Sequence, residues 1–141
     1  MNIVQYPAAA AVKRLLEEAN LPTSDLTEAH LENFLGCGAN GSLDGVVGLE
    51  LYPPVALLRS LAVASSRRGR GVGSTLLAEA ERYARLREVK EIYLLTTTAE
   101  QFFARSGYEH IVREAAPPAI RETQEFSSLC PASSAVMRKR L

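Results

Sequence analysis

The sequence predicts one α/β (α+β) domain, residues 1–141, in which helices pack against a mixed β-sheet. Three observations predict this class. Helical and strand-like hydrophobic patterns alternate along the chain. Of the 141 residues, 47% are hydrophobic and 23% are charged, as in ordinary globular proteins. No repeat or linker divides the chain, and one domain of this length can bury about 70% of the surface that it exposes when unfolded.

The first half of the chain predicts a helix, a β-hairpin and a third strand. Apolar residues recur at helical spacing over residues 8–19. Strands are predicted at 33–38 and 43–52, joined by a turn that contains Asn-Gly, a strong hairpin signal. Residues 55–64 form a further apolar strand candidate, interrupted by the polar pair Arg59-Ser60.

The second half predicts helices and strands in alternation. A helix with one apolar face is expected over 74–87, and a short buried strand over 91–97. The sequence from Thr98 to Gln101 has the form of a capping box, so a helix should begin there and end at Gly107. Later strands are predicted at 108–112 and 135–140, with a short helix within 118–129.

Composition excludes several classes of function. The 16 basic and 16 acidic residues give zero net charge, which argues against a general nucleic-acid binder. No apolar run approaches the roughly 20 residues that span a membrane, and the N-terminus lacks the basic region of a signal peptide. Cys37 and Cys130 are not in a CxxC pair, and no His/Cys/carboxylate cluster suggests a metal. We therefore expect a cytoplasmic protein without a metal.

Three glycines at alternate positions, Gly69, Gly71 and Gly73, join the third strand to the following helix. Glycine lets a ligand approach the main chain closely, and the first amides of a helix attract anions. Neighbouring arginines add positive charge, so a phosphate or pyrophosphate is the expected ligand. The turn does not fit the phosphate-loop pattern GxxxxGK[ST], because no Lys precedes Ser74 or Thr75, and the final glycine of the dinucleotide pattern GxGxxG is missing when the pattern begins at Gly69 or Gly71. A basic, flexible turn without a ligand is the alternative.

The sequence Arg68-Gly69-Arg70-Gly71-Val72-Gly73 resembles the (Q/R)xxGx(G/A) motif of the GCN5-related N-acetyltransferase (GNAT) family. Residues 102–108, with an aromatic pair before a helix stop, resemble the family's second signature. The resemblance implies a GNAT-type fold, a mixed and mostly antiparallel central sheet with helices on both faces. It also implies acetyl-CoA as cosubstrate and N-acetylation of a small-molecule amine.

Further segments are similar to the GNAT subgroup associated with arsenic resistance. These are residues 45–50, 56–63, 94–98 and 119–126, followed by Leu129-Cys130-Pro131. The subgroup resemblance implies a biological setting and does not identify an acceptor.

The family resemblance assigns the cofactor residues by position. It implies that the pantetheine arm pairs with the backbone of Leu61, Ala62 and Val63. The pyrophosphate is then expected at the turn formed by Arg68, Gly69, Arg70, Gly71, Val72, Gly73 and Ser74. Many relatives have a Tyr general acid where this chain has Phe103, and Tyr108 is too displaced to take that role. The departing thiolate is therefore expected to take its proton from water.

Polar residues in otherwise apolar strands are the candidates for the acceptor site. Glu50 is the first candidate for a catalytic base, with an outward-facing charge as the alternative. Arg59 is expected either to pair with Glu50 or to bind an acidic substrate, because a buried Arg needs a partner. Ser60 interrupts the same strand. Thr96 and Thr97 are candidates for substrate contact, and one of the threonines 96–98 should cap the following helix.

Two other readings of the function remain open. Phe103 permits a non-catalytic acyl-CoA-binding protein, which would hold the cofactor without turnover. Cys130 permits an arsenical-binding protein because trivalent arsenic prefers thiolates, although a structural thiol is the simpler interpretation. His110 is expected to be an ordinary strand residue. Neither nucleic acid nor membrane is an expected partner, and a homodimer is left open.

Overall fold

A computed structural model describes residues 2–39 and 42–141 of the chain. Its strands are β1 (Ile3–Gln5), β2 (Phe34–Ala39), β3 (Ser42–Tyr52), β4 (Val55–Val63), β5 (Glu91–Thr96), β6 (Glu109–Ile111) and β7 (Ala135–Arg140). Its α-helices are α1 (Ala9–Glu18), α2 (Glu28–Leu31), α3 (Val72–Leu86), α4 (Glu100–Arg105) and α5 (Pro118–Arg121). Short 3₁₀ turns occupy Ser65–Arg67 and Arg113–Ala115, and a π-helical turn occupies Glu125–Leu129.

The strands form one seven-stranded sheet in the order β1-β2-β3-β4-β5-β7-β6. Each neighbouring pair is antiparallel except β4 and β5, which are parallel. The connection from β4 to β5 runs through α3, as a parallel pair requires. This arrangement confirms the predicted mixed, mostly antiparallel sheet.

Helices cover both faces of the sheet. On one face α3 and α4 pack against alternate residues of the central strands, including Leu49, Leu58 and Met137. On the other face α1 packs against Phe34 and Val46, and α5 packs with the π-helical turn. The alternation follows from the strand geometry, which points successive side chains to opposite faces. The predicted placement of helices on both faces is confirmed.

The centre of the sheet contains a gap between β4 and β5. The two strands pair only through Val55, Ala56 and Leu57 among the described residues, and then they separate. On its other side β4 stays paired with β3, but the register shifts by one residue opposite Val46–Gly48. Ser60 has a φ of 61° within this bulge, which re-aims the strand. The second half of β4 therefore has a backbone edge that faces the gap.

Some details of the sequence prediction were wrong. The predicted capping box at Thr98 does not form: the N-cap of α4 is Ala99, without a side-chain cap. The Thr96 hydroxyl instead accepts a hydrogen bond from the Ala99 amide at 3.0 Å. Helix α3 begins at Val72, earlier than predicted, because Gly71 provides its N-cap. Strand β1 was not predicted, since three residues give too short a pattern.

Two further expectations concern the hairpin and membrane-spanning helices. Strands β2 and β3 form the predicted antiparallel pair, whereas Asn40 and Gly41 of the predicted turn lie outside the described residues. Within residues 2–39 and 42–141, no helix is both long and apolar enough to cross a bilayer.

Candidate active site

A cavity of about 430 Å³ lies where β4 and β5 separate. The second half of β4 forms one wall, the end of β5 and the start of α4 form another, and the segment between α5 and β7 closes a third side. The predicted substrate residues Arg59, Ser60, Thr96 and Thr97 all line this cavity. The sequence therefore identified four of its lining residues because each interrupts or ends an apolar strand.

The glycine turn stands at the N-terminus of α3, beside β4. Gly69 and Gly71 have φ values of 78° and 79°, a conformation that residues with a Cβ rarely adopt. A Cβ added at either glycine would meet no atom within 4 Å, so the turn is open on its outer side. The positive φ values, and not steric crowding, explain why glycines occupy these positions.

Backbone amides at the start of α3 are available to an anion. The Thr75 amide donates to the Gly71 carbonyl at 3.0 Å, which is the first hydrogen bond of the helix. The preceding amides of Val72, Gly73 and Ser74 have no intrahelical acceptor by helix geometry. They lie at the positive end of the dipole of a 15-residue helix. This end of α3 can thus bind a phosphate group.

The arginines of the turn surround this helix end with positive charge. The Arg68 guanidinium reaches back to the Val63 carbonyl at 3.4 Å, and Arg70 is exposed. Gly73 faces the gap, because a Cβ added there would lie 3.6 Å from both Val63 and Phe102. The glycine turn therefore adjoins the second half of β4 at Leu61, Ala62 and Val63.

Arg59 lies at the centre of a buried charge cluster. Its side chain is 0% exposed, and it forms a fork with Asp25, in which Nη2 donates to Oδ1 at 2.9 Å and Nη1 donates to Oδ2. Nη1 also donates to Glu50 Oε2 at 2.9 Å, and Nε donates to Ser60 Oγ at 3.0 Å. Glu125 Oε2 lies 3.7 Å from Nε. The predicted pairing of Arg59 with Glu50 is present, but as part of a larger cluster.

Burial and neighbouring charges shift the pKa values of the residues in this cluster in opposite directions. Burial disfavours the charged guanidinium, yet the hydrogen bonds to Asp25 and Glu50 and the charges of Asp25 and Glu125 raise the pKa of Arg59 overall. For Asp25, burial is likewise outweighed by the hydrogen bond and charge of Arg59, so its pKa falls below the usual value. Burial raises the pKa of Glu125 to about 7, because the attraction of Arg59 at 3.7 Å is weaker than the cost of burial.

Glu50 lies behind this cluster and outside the lining of the cavity. Its Oε1 accepts a hydrogen bond from the Tyr52 hydroxyl at 2.7 Å, and its Oε2 is held by Arg59. His30 Nε2 lies 3.8 Å from the same Oε2. Both carboxylate oxygens of Glu50 thus have donors within the protein, an arrangement that suits a structural partner of Arg59.

The cluster also brings together residues that sequence reasoning missed. Asp25, His30 and Glu50 each have a potential ligand atom, and these atoms lie within 4.8 Å of one another. However, Arg59 donates to both carboxylates, so a guanidinium already compensates their charge. The polar stretch around Asp25 was the available signal, but only tertiary folding brings it to Arg59.

Phe103 and Tyr108, the two aromatic residues considered for proton transfer, differ in that only Phe103 is among the described residues that line the cavity. Phe103 lines the cavity and packs edge-on against Phe102 and Tyr108. Tyr108 is 3% exposed, and its hydroxyl donates to Glu81 Oε2 at 3.0 Å, away from the cavity. Burial and then the Glu81 charge raise the pKa of Tyr108. The hydroxyl of Tyr108 is therefore held in a buried ion-pair network that also includes Lys139.

The remaining candidate residues have simpler surroundings. Cys130 is half-buried and lines the cavity, and burial followed by the Glu125 charge raises its pKa to about 11. Cys37 is buried in the core on β2. His110 is exposed on β6 and contacts Glu100 at 2.9 Å, as an ordinary strand residue can.

The fold and the site define a class of protein that can bind an extended ligand with a phosphate group. In this class the ligand lies between two separated central strands and its phosphate lies at the glycine turn. The family model described as Acetyltransferase (GNAT) family matches residues 5–111. The chain belongs to this acetyltransferase family.

Curated relatives agree with the family assignment. The chain is 33% identical over 92 residues to an uncharacterized N-acetyltransferase of Chlorobaculum tepidum, covering 64% of this chain and 59% of that protein. It is 30% identical over 118 residues to an amino-acid acetyltransferase of Ralstonia nicotianae, covering 82% of this chain and 25% of that protein. The chain thus corresponds to only part of each of these relatives.

Solved structures share the fold. The N-acetylglutamate synthase of Neisseria gonorrhoeae, complexed with coenzyme A and N-acetyl-glutamate, superposes with a TM-score of 0.82 at 23% identity, over 99% of this chain and 35% of that one. A Mycobacterium tuberculosis protein in complex with CoA superposes with a TM-score of 0.78 at 16% identity, over 100% and 99% of the two chains.

Proposed function

We propose that this chain is an acetyl-CoA-dependent N-acetyltransferase that acetylates the amine of a small molecule. The observation that carries the proposal is the gap between β4 and β5, which opens directly beside the glycine turn at the start of α3. A thioester with a long pantetheine arm and a pyrophosphate fits such a gap and turn. Membership of the acetyltransferase family and the CoA in two structural relatives support it.

The residues of this chain have separate tasks in the proposal. The backbone edge of β4 at Leu61, Ala62 and Val63 would pair with the pantetheine arm. The amides of residues 72–74 would hold the pyrophosphate, assisted by the charges of Arg68 and Arg70. Acetyl-CoA supplies the activated acetyl group, and the cavity beside it holds the acceptor in position for attack.

Position 103 is a phenylalanine in this chain, so a tyrosine at that position cannot act as the general acid. The phenyl ring of Phe103 excludes water from one side of the cavity but has no proton to donate. Tyr108 is bound to Glu81, so we propose no catalytic role for it. The departing sulfur would therefore take its proton from the acceptor amine or from water.

Calorimetry with CoA tests the cofactor site. A valine at Gly71 would strain the backbone, since the φ there is 79°. Gly73 is the better position because a Cβ added there makes ordinary contacts with Val63 and Phe102, and the two methyl groups of valine add bulk beside the amides of residues 72–74. We expect Gly73→Val to lower CoA affinity at least about tenfold, a change of about 1.4 kcal/mol. The control Ala78→Val, at an exposed position of α3, should bind CoA normally.

The result that would refute the cofactor site is unchanged CoA affinity in a folded Gly73→Val protein. A different outcome, CoA binding by the native chain without acetylation of any amine, would favour the non-catalytic acyl-CoA-binding alternative, which Phe103 permits. The arsenic-resistance setting and the cytoplasmic location stay predictions, supported by the sequence resemblance and by two free cysteines. Arsenite affinity that is lost in Cys130→Ser would favour the arsenical-binding alternative.

A further inference from the structure

Glu125 differs from the two other carboxylates around Arg59. Both oxygens of Asp25 accept hydrogen bonds from Arg59, and both oxygens of Glu50 have donors in Arg59 and Tyr52. Among the described residues, no N–H or O–H group donates a hydrogen bond to the Glu125 carboxylate, whose nearest cationic atom is Arg59 Nε at 3.7 Å. Glu125 also lines the cavity, whereas Asp25 and Glu50 do not. Its carboxylate is thus available to a ligand.

Ser134 is a second polar group without a partner in the same cavity. Its residue is 7% exposed, and its hydroxyl oxygen is buried with no hydrogen-bond partner in the described part of the chain. Ser134 lines the cavity together with Glu125 and stands just before β7. Buried polar groups are nearly always paired, so the unpaired Ser134 hydroxyl beside the cavity is available to a ligand.

The charges of the lining favour a cationic ligand. Arg59 is the one cationic residue that the described lining contains, but its guanidinium is 0% exposed and committed to carboxylates. A carboxylate on the ligand would therefore meet no available cation in this lining. An ammonium group, in contrast, would find the free carboxylate of Glu125, and charged hydrogen bonds of this kind are strong.

We propose that Glu125 binds the ammonium group of a cationic amine acceptor that lacks a neighbouring carboxylate, and removes its proton before acetyl transfer. This proposal rests on the proposed acetyltransferase function and names the acceptor class of that site.

The proposed step balances in protons and bonds. The acceptor enters as R–NH₃⁺, one proton moves to the Glu125 carboxylate, and the amine lone pair becomes free to attack. The amine forms the amide C–N bond with the acetyl carbon while the thioester C–S bond breaks. A second proton from the nitrogen goes to the departing sulfur, directly or through water, and Glu125 releases its proton to solvent. The net reaction converts ammonium and thioester into amide, thiol and one proton.

The surroundings of Glu125 suit a base that works near neutral pH. Burial raises its pKa to about 7, and Arg59 opposes this increase. The charges of Glu50 and Asp25 raise it further, whereas a hydrogen bond with the Cys130 side chain lowers it. A base with a pKa near the working pH combines an ionised fraction with sufficient proton affinity.

Kinetics of Glu125→Gln test the proposal, with Glu122→Gln as the matched control. Glu122 is an exposed residue on the neighbouring turn of the same segment. The probes are phenethylamine and tyramine, each compared with its amino acid, phenylalanine or tyrosine. We expect Glu125→Gln to lose about 10²–10⁴-fold in kcat/KM for the amines. Glu122→Gln should stay within about twofold, and the native protein should prefer each amine over its amino acid by at least about tenfold.

The pH profile separates a base from a structural carboxylate. For the native protein, kcat/KM should rise with pH through about 7, as Glu125 ionises, and fall above the pKa of the amine. Glu125→Gln should lack the rise near 7 and follow the fraction of free amine instead. A variant with the native profile would overturn the assignment of the base.

Binding measurements provide a readout that does not depend on turnover. Phenethylamine should raise the melting temperature of the native protein with CoA bound, and Glu125→Gln should lose this shift. Ser134→Ala should retain its native melting temperature, because its hydroxyl is unpaired, and should raise KM several-fold. An equal amine-dependent shift in Glu125→Gln, or a preference for amino acids over amines, would overturn the proposal. Failure of the native protein to bind CoA would instead refute the proposed function itself.

Discussion

Replacing Arg59 with methionine tests whether the buried charge cluster holds the sheet to the segment that closes the cavity. The substitution keeps a long apolar side chain but removes the cation that compensates Asp25, Glu50 and Glu125. The side chains of these carboxylates are 3%, 6% and 8% exposed, so water cannot replace the lost contacts with Arg59 without rearrangement. We therefore expect a large loss of folding stability.

The magnitude follows from the burial of the cluster. Removing one partner of a buried ion pair costs about 3–5 kcal/mol, because it leaves an uncompensated charge. For a chain of 141 residues this corresponds to a decrease in melting temperature of about 10–20 °C at pH 8. The loss should shrink toward pH 4. Carboxylates that the variant leaves without a cation can take up protons as the pH falls, which removes their uncompensated negative charge.

Thermal melts of Arg59→Met and Arg82→Met at pH 8 and pH 4 provide the assay. Arg82 is the matched control because its side chain is 64% exposed and pairs with Glu79, three residues away on α3. We expect Arg82→Met to change the free energy of unfolding by less than about 0.5 kcal/mol. A melting temperature for Arg59→Met within a few degrees of the native value at pH 8 would refute this account of the cluster.

Three further predictions follow from individual contacts. Tyr108→Phe should lower the free energy of unfolding by about 1 kcal/mol, through loss of the bond to Glu81, and change kcat by less than about tenfold; a hundredfold loss of kcat would show that Tyr108 is the acid. Glu125→Gln should be more stable than the native protein above pH 7, by up to about 3 kcal/mol in urea unfolding. Ionisation of a carboxyl with a raised pKa opposes folding, so the native protein should lose stability relative to Glu125→Gln as the pH rises from about 5 to 8. A stability difference between the two proteins that does not change with pH would contradict the raised pKa of Glu125. Cys130, with a pKa near 11, should be alkylated at pH 8 about 100-fold more slowly than in unfolded protein; equal rates would contradict its burial.

The fold could be predicted because its signals are local. The helical spacing of α1 and α3, the apolar strands and the glycine turn each depend on residues close in sequence. The same applies to Arg59 and Ser60, which are conspicuous as polar residues inside an apolar strand. Strand β1 was missed because three residues carry no period.

The charge cluster and the proposed base could not be predicted, because they depend on contacts distant in sequence. Asp25 lies 34 residues before Arg59, in a polar segment with no strong pattern. Glu125 lies in the segment 119–126 that resembles the arsenic-resistance subgroup, but the sequence does not show that the π-helical turn Glu125–Leu129 brings its side chain to Arg59. Sequence reasoning chose Glu50 as the base because it lies near the end of an apolar strand next to the expected cofactor strand. The structure instead gives both Glu50 oxygens donors inside the protein.

Acetyl transfer itself is the most direct test of the central claim. The purified protein should be incubated with acetyl-CoA and a panel of primary amines, with release of free CoA followed by a thiol reagent and the product identified by mass spectrometry. The account predicts amine-dependent CoA release together with a product heavier by one acetyl group, and both should decrease in Gly73→Val but not in Ala78→Val. Acetyl-CoA that binds with native affinity and is not consumed with any amine would contradict the account.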